Sequence, residues 1–233
     1  MHWTKAVCVL VTAMAMRAQE PAPAVAAARP IVVLDAAHGG SDDGAKITDR
    51  IAEKSVTMDL AAKLKSLLNA RGFDVRMTRE GDPNPSPTPE QRAGMANQAH
   101  AIACLSLHSA SVATGIHLYV SALPETRGES ATANIPWDEA QSAYVGRSLQ
   151  LSGEMATAFT RSNIPITAGR TWMQPLDNML CPAVAIEMAP LGTGDDATPV
   201  TDSGYQQRVA DSLAGVLLAW RNHADLPAAG AAH

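Results

Sequence analysis

Four side chains in this sequence have types and positions that fit together for chemistry: His38, Glu53, His108 and Glu187. Three of them stand at or near the ends of largely apolar runs without alternation. His38 follows Ile31 to Leu34 and Asp35, His108 closes Ala101 to Leu107, and Glu187 lies near the end of Pro182 to Met188. Short apolar runs bounded by loop residues read as strands buried on both faces. Glu53 instead opens a helical pattern. Open α/β sheets place ligands beyond the carboxyl ends of their strands, so these elements would set all four residues along one rim. Two imidazoles and one carboxylate suit a catalytic zinc with one position left for water. A further carboxylate can accept the proton of that water. Plainer readings exist for each residue. His38 with Gly39 and Gly40 also fits a solvated strand-end turn. Glu53 is favoured by the dipole of the helix it opens. Glu187, set in an apolar strand, calls for a partner, and a structural Arg or Lys would serve.

The elements that must hold these residues follow from hydrophobic spacing. After a polar loop over 41–50, Val56, Leu60, Leu64 and Leu67/Leu68 recur at helical intervals, and Gly72 supplies a stop. Phe73 to Thr78 alternates, as a half-covered strand does, which completes a βαβ unit. Thr88-Pro-Glu-Gln91 has the capping-box pattern of a helix reaching about Gln98. A third apolar strand spans Gly115 to Val120, and His117 within it reads as a structural or peripheral histidine rather than a ligand. Residues 121–137 form a long polar loop that, with its continuation to 147, could cover a cleft. A helix is expected from Trp137 and Asp138 to about Arg161, with Met155 and Phe159 on its core face. A short strand is expected at Trp172 to Leu176. The last helix begins near Ser203, with Gln206 completing a capping box, and its stripe is Val209, Leu213, Val216/Leu217 and Trp220. The pattern predicts an α/β fold: a three-layer sandwich whose mostly parallel, twisted central sheet is flanked by helices. One domain spans 30–223, and an Ala/Pro/Gly-rich tail, 224–233, is expected to be disordered.

The 233 residues carry a net charge of −5, which argues against nucleic acid and against an anionic membrane surface. The first eighteen residues read as a secretory signal peptide. Lys5 precedes an apolar run, Ala6 to Met16, that is too short to span a bilayer, and Ala15 and Ala18 offer cleavage points. Residues 19–29 are a Pro/Ala linker. With Cys8 in the signal, Cys104 and Cys181 remain. Export permits a disulfide between them, and two buried thiols fit equally well.

Taken in order, the motifs around these residues resemble the zinc-dependent N-acetylmuramoyl-L-alanine amidases of bacterial cell walls. That family opens with a strand ending in Asp-Pro-Gly-His-Gly-Gly, and this chain has Asp35-Ala-Ala-His-Gly-Gly40. The family's Glu-Lys pair is matched by Glu53-Lys54 and its Thr-Arg by Thr78-Arg79. Its Ser-Ile-His-Ala-Asn is matched in part by Ser106-Leu-His-Ser-Ala110, and its Pro-Ala-x-x-x-Glu by Pro182 to Glu187. The resemblance covers roughly residues 30–222. It implies Zn2+ as cofactor, His38, Glu53 and His108 as its ligands, and Glu187 as the catalytic carboxylate. The implied reaction is cleavage of the amide between N-acetylmuramic acid and L-alanine of peptidoglycan. The export signal predicts a place in the periplasm or outside the cell, and the chain is expected to act as a monomer. The chain departs from the family at Ala36-Ala37, at Ala110 and over Met188 to Gly192. These positions bear on substrate recognition rather than on metal or base. They also support an alternative, a wall-binding or scaffold protein that kept the fold. A hydrolase of another exported amide is a third reading.

Overall fold

Strands and helices alternate along the chain in this computed structural model, which describes residues 28–126 and 136–222. They are β1 (Ile31–Ala36), α1 (Glu53–Ala70), β2 (Asp74–Met77), α2 (Pro89–Ala99), β3 (Ala103–Ser109), β4 (Ile116–Ser121), α3 (Val145–Arg161), β5 (Ile166–Thr171), β6 (Ala183–Met188) and α4 (Ser203–Trp220). The strands form one sheet in the order β2-β1-β3-β6-β4-β5. The first four of these are mutually parallel; β4 runs antiparallel to β6, and β5 runs parallel to β4. The carboxyl ends of β1, β3 and β6 therefore share one rim with the amino end of β4.

Helices α1, α3 and α4 cover one face. Their leucine stripes meet the sheet in the main core, where Leu34, Leu60, Leu64, Leu105, Ile186, Leu213 and Trp220 are fully or almost fully buried. Each such side chain contributes about 1.5–3 kcal/mol when removed from water. The other face is thinner. There α2 and two 3-10 turns, Trp137–Ala143 and Leu176–Asn178, close over Val33, Cys104, Met179 and Ala185. Thr88 caps α2, taking the Gln91 N–H while the Gln91 side chain accepts from the Thr88 N–H, as the sequence pattern predicts. Among the described residues no helix is long and apolar enough to cross a membrane.

The structure corrects three sequence readings and settles one left open. The single helix expected from Trp137 is a 3-10 turn followed, after Tyr144, by α3. The strand expected at Trp172 to Leu176 is absent, and β5 lies just before it. Its sequence, Ile-Thr-Ala-Gly-Arg-Thr, is exposed along most of its length, because an edge strand needs only one paired neighbour and no apolar face. Arg170 fastens it by donating to the carbonyls of Ser121 and Leu123. Helix α4 is capped by Asp202, whose carboxylate accepts the Tyr205 N–H, while Gln206 donates instead to the Val200 carbonyl. Of the two alternatives left open for the cysteines, the structure shows the disulfide: Cys104 and Cys181 are joined. The expected signal peptide at 1–18, the tail at 224–233 and most of the linker at 19–29 lie outside the described residues, as do 127–135 of the long loop.

The disulfide ties β3, which carries His108, to the segment entering β6, which carries Glu187. It closes a separation of 77 residues. Loop-closure entropy for that length is worth about 4 kcal/mol in the unfolded state. Replacing both cysteines by alanine should lower unfolding free energy by about that amount in urea titrations. A loss below about 1 kcal/mol would show that the bond does not restrain the unfolded chain.

Candidate metal centre

The strand-to-loop turn after β1 sets the first histidine. His38 adopts a left-handed backbone with φ 64°, and Gly39 and Gly40 follow with φ 125° and 61°. Two buried arginines hold this turn by its carbonyls. Arg79 donates to the oxygens of Ala36, Ala37 and Lys54, and Arg92 donates to those of Ala36 and His38. Arg92 is itself paired with Asp35 at 2.8 Å, both side chains being buried. Lys54 reaches the Gly40 carbonyl from the start of α1. Several charge-assisted bonds thus converge on a few residues of backbone, each stronger than a neutral one.

The side chains meet beside this turn. Nε2 of His38 is 3.1 Å from Oε2 of Glu53, and Nδ1 of His108 is 3.1 Å from Oε1 of the same carboxylate. The two rings stand edge to face with centroids 5.6 Å apart. Backbone N–H groups of Ala45 and Ser109 donate to the two Glu53 oxygens at 2.8 and 3.0 Å. Gly44 leaves the necessary room. A Cβ there would fall 2.6 Å from the His38 ring and 2.7 Å from Oε2 of Glu53, and its φ of +67° already disfavours a side chain.

Outer partners set the ring orientations. Nδ1 of His38 lies 2.8 Å from Asp42, which leaves Nε2 facing Glu53. Ser106 donates its hydroxyl proton to Asp35 at 2.8 Å, so toward Nε2 of His108, 3.4 Å away, it presents a lone pair. As the structure stands, Nδ1 of His108 donates to Glu53; with a cation bound there, the Ser106 lone pair would hold the proton on Nε2 and free Nδ1 as a ligand.

The electrostatics fit a cation. The Glu53 hydrogen bond, opposed by burial and aided by Asp42, raises the His38 pKa from 6.5 to about 9. Burial alone would raise the Glu53 carboxyl, but hydrogen bonds from His108, His38 and the two backbone amides hold it well below the usual carboxylate range. An almost fully buried carboxylate between two imidazoles is stable only with positive charge at hand. One nitrogen from each histidine and one oxygen of Glu53 all lie within 4.8 Å of one another, the donor set that zinc takes.

Glu187 is brought to the same rim. It pairs in register with His108 on the neighbouring strand, with strands about 4.8 Å apart. It is half-buried, and among the described residues it has no hydrogen-bond or ion-pair partner, so the structural Arg or Lys considered from sequence is not there. An open cleft of about 340 Å³ adjoins the site, lined by His38, His108, Ser86, Pro87, Arg92 and Gln174 among others.

A family profile described as N-acetylmuramoyl-L-alanine amidase matches residues 32–218. The chain belongs to this family. The amidase is 26% identical over 209 residues to the germination-specific N-acetylmuramoyl-L-alanine amidase of Bacillus subtilis strain 168, covering 84% of this chain and 82% of the relative. Among solved structures it resembles the amidase Ami1 of Mycobacterium smegmatis, with a TM-score of 0.65, 22% identity and coverage of 83% of this chain and 97% of that one. The catalytic domain of CwlV, the amidase of Bacillus (Paenibacillus) polymyxa var. colistinus, gives a TM-score of 0.62 at 22% identity, covering 83% and 98%. At such identity the two structures establish the fold of the amidase, the α/β sandwich expected from sequence.

Three residues of the site escaped the sequence reading: Asp42, Gly44 and Arg92. Asp42 had a usable signal, an acid four residues beyond a candidate ligand histidine. Arg92 had a weaker one, a charge directly beside the buried small stripe of Ala93 and Ala96.

Proposed function

We propose that the amidase uses a zinc ion held by His38, Glu53 and His108, with Glu187 as base, to hydrolyse the amide between N-acetylmuramic acid and L-alanine in peptidoglycan. The observation that carries the reading is the convergence of the two histidines and Glu53 within 4.8 Å at the strand rim of this fold. Zinc at such a site supplies a Lewis acid for the scissile carbonyl and lowers the pKa of water from 15.7 toward about 7.

The chain's own groups do the rest. His38 and His108 offer neutral nitrogens whose orientation Asp42 and Ser106 set, and Glu53 adds the negative charge that balances a divalent cation. Glu187, beside His108 and without a competing partner among the described residues, takes the proton of the attacking water and returns it to the leaving amine of L-alanine. Arg79 and Arg92 keep the His38 turn from relaxing.

Digestion of purified sacculi, with mass analysis of the soluble products, tests the reaction. Stem peptides beginning at L-alanine are expected. A folded, zinc-loaded protein that releases none would instead be a wall-binding relative.

Peptidoglycan lies outside the cytoplasm, and residues 1–18 supply the export signal this substrate requires, followed by the linker at 19–29 and the catalytic domain at 30–223. The mature protein should begin near residue 16 or 19, in the periplasm or outside the cell. Terminal sequencing of the exported form checks this, and an intact Met1 to Lys5 on the working enzyme would refute it.

A further inference from the structure

Glu187 has a neighbour on each side. In the parallel pairing of β3 with β6 it stands opposite His108, and in the antiparallel pairing of β6 with β4 it stands opposite His117. Residues paired in register point to the same face of a sheet, with Cβ atoms about 4.5–5.5 Å apart. His108, Glu187 and His117 therefore form one row across three strands, and exposed Thr167 of β5 continues it. His117 carries a feature that its strand does not explain. Its Nε2 is buried and, among the described residues, has no hydrogen-bond partner. Buried ring nitrogens in folded proteins are almost always paired, so an unpaired one beside a candidate catalytic group points to a partner acquired during function. Glu187 is equally unpartnered among the described residues. The charge of Glu187 also reaches the next β4 residue on that face. Burial, and then that charge, push the Tyr119 hydroxyl above its ordinary pKa.

We propose that His117 is a positioning residue for Glu187, donating a ring N–H to one carboxylate oxygen so that the other faces the His108 side of the row. This rests on the reading of Glu187 as the base. A glutamate with no restraint samples several rotamers, and only some aim it at the attacking water. One hydrogen bond from the far side of β6 removes most of that freedom without neutralising the base, because a neutral imidazole can donate. The other candidates on β4 are committed or stand elsewhere: Tyr119, on the same face, pairs in register with Ala185 rather than with Glu187. Ser121 donates to Asp177, and Ile116, Leu118 and Val120 belong to the main core on the opposite face.

The test uses the full mature enzyme on a soluble N-acetylmuramoyl peptide. His117→Ala should lower kcat by about 10–100-fold, the usual effect of losing an orienting partner, with KM, zinc content and Tm near wild type. His117→Gln keeps an N–H donor and should recover most of the rate. In a Glu187→Gln background, His117→Ala should cost little more, since a residue that acts through another is not additive with it. A purely structural histidine would lower both backgrounds alike and would show in Tm. Unchanged kcat in His117→Ala, or equal losses in the two backgrounds, overturns the proposal while a crippled Glu187→Gln leaves the base assignment standing. A fully active Glu187→Gln overturns both together.

Discussion

Glu187→Gln is expected to yield a folded, zinc-loaded protein that cleaves peptidoglycan roughly 10²–10⁴-fold more slowly, the usual worth of a positioned general base. Glutamine preserves shape and hydrogen-bonding capacity but cannot take up a proton as a carboxylate does. The competing explanation of a glutamate in an apolar strand was a buried ion pair, and breaking one costs about 3–5 kcal/mol. The structure removes that explanation. Among the described residues no Arg or Lys pairs with Glu187, and the side chain is half-buried at the rim rather than enclosed. Its replacement should therefore shift stability by only about 0.5 kcal/mol, as at an ordinary surface site. Melting temperature, zinc content and hydrolysis rate on one preparation separate the two accounts. A stable, zinc-loaded variant with undiminished hydrolysis would remove Glu187 from the mechanism.

The rim was legible in the sequence because parallel strands buried on both faces have no reason to carry charge. His38, His108 and Glu187 each interrupt such a run, and an interruption is visible without knowing the partners. Helices α1 and α2 were legible for a related reason, since their stripes and stops are local. What stayed hidden depended on distant contacts. The strand β5 has no apolar face, and only its pairing with β4 makes it a strand. The pairing of Cys104 with Cys181 depends on β3 and the entry to β6 lying side by side, which strand order decides and spacing does not. Asp42 reads as one of several acids in a polar loop until the turn at Gly44 folds that loop back onto His38. His117 is the sharpest case. On its own strand it is an ordinary histidine, and only the antiparallel register sets it beside Glu187.

His108→Ala should lose most of the bound metal and reduce hydrolysis by at least as much as loss of the base does. The argument is geometric. Three protein ligands leave an open position for chemistry, and two do not hold a divalent ion in a dilute solution against water. The variant also strips Glu53 of one of its two imidazoles, although the amides of Ala45 and Ser109 still satisfy the carboxylate, so the fold should survive. Stability supplies an independent readout. A ligand that binds only the native state raises the melting temperature with its concentration, so added zinc should stabilise the wild-type protein and leave His108→Ala unmoved. The pH dependence follows from the proton that His38 holds. With its pKa raised to about 9 in the metal-free fold, that proton must leave before the nitrogen can serve as a ligand. Zinc affinity should consequently rise by about tenfold per pH unit through neutrality and level off near pH 9. Zinc titrations between pH 6 and 9, taken as about the range below that pKa, check the slope. Full metal occupancy in His108→Ala would show that the ligand set is wrong.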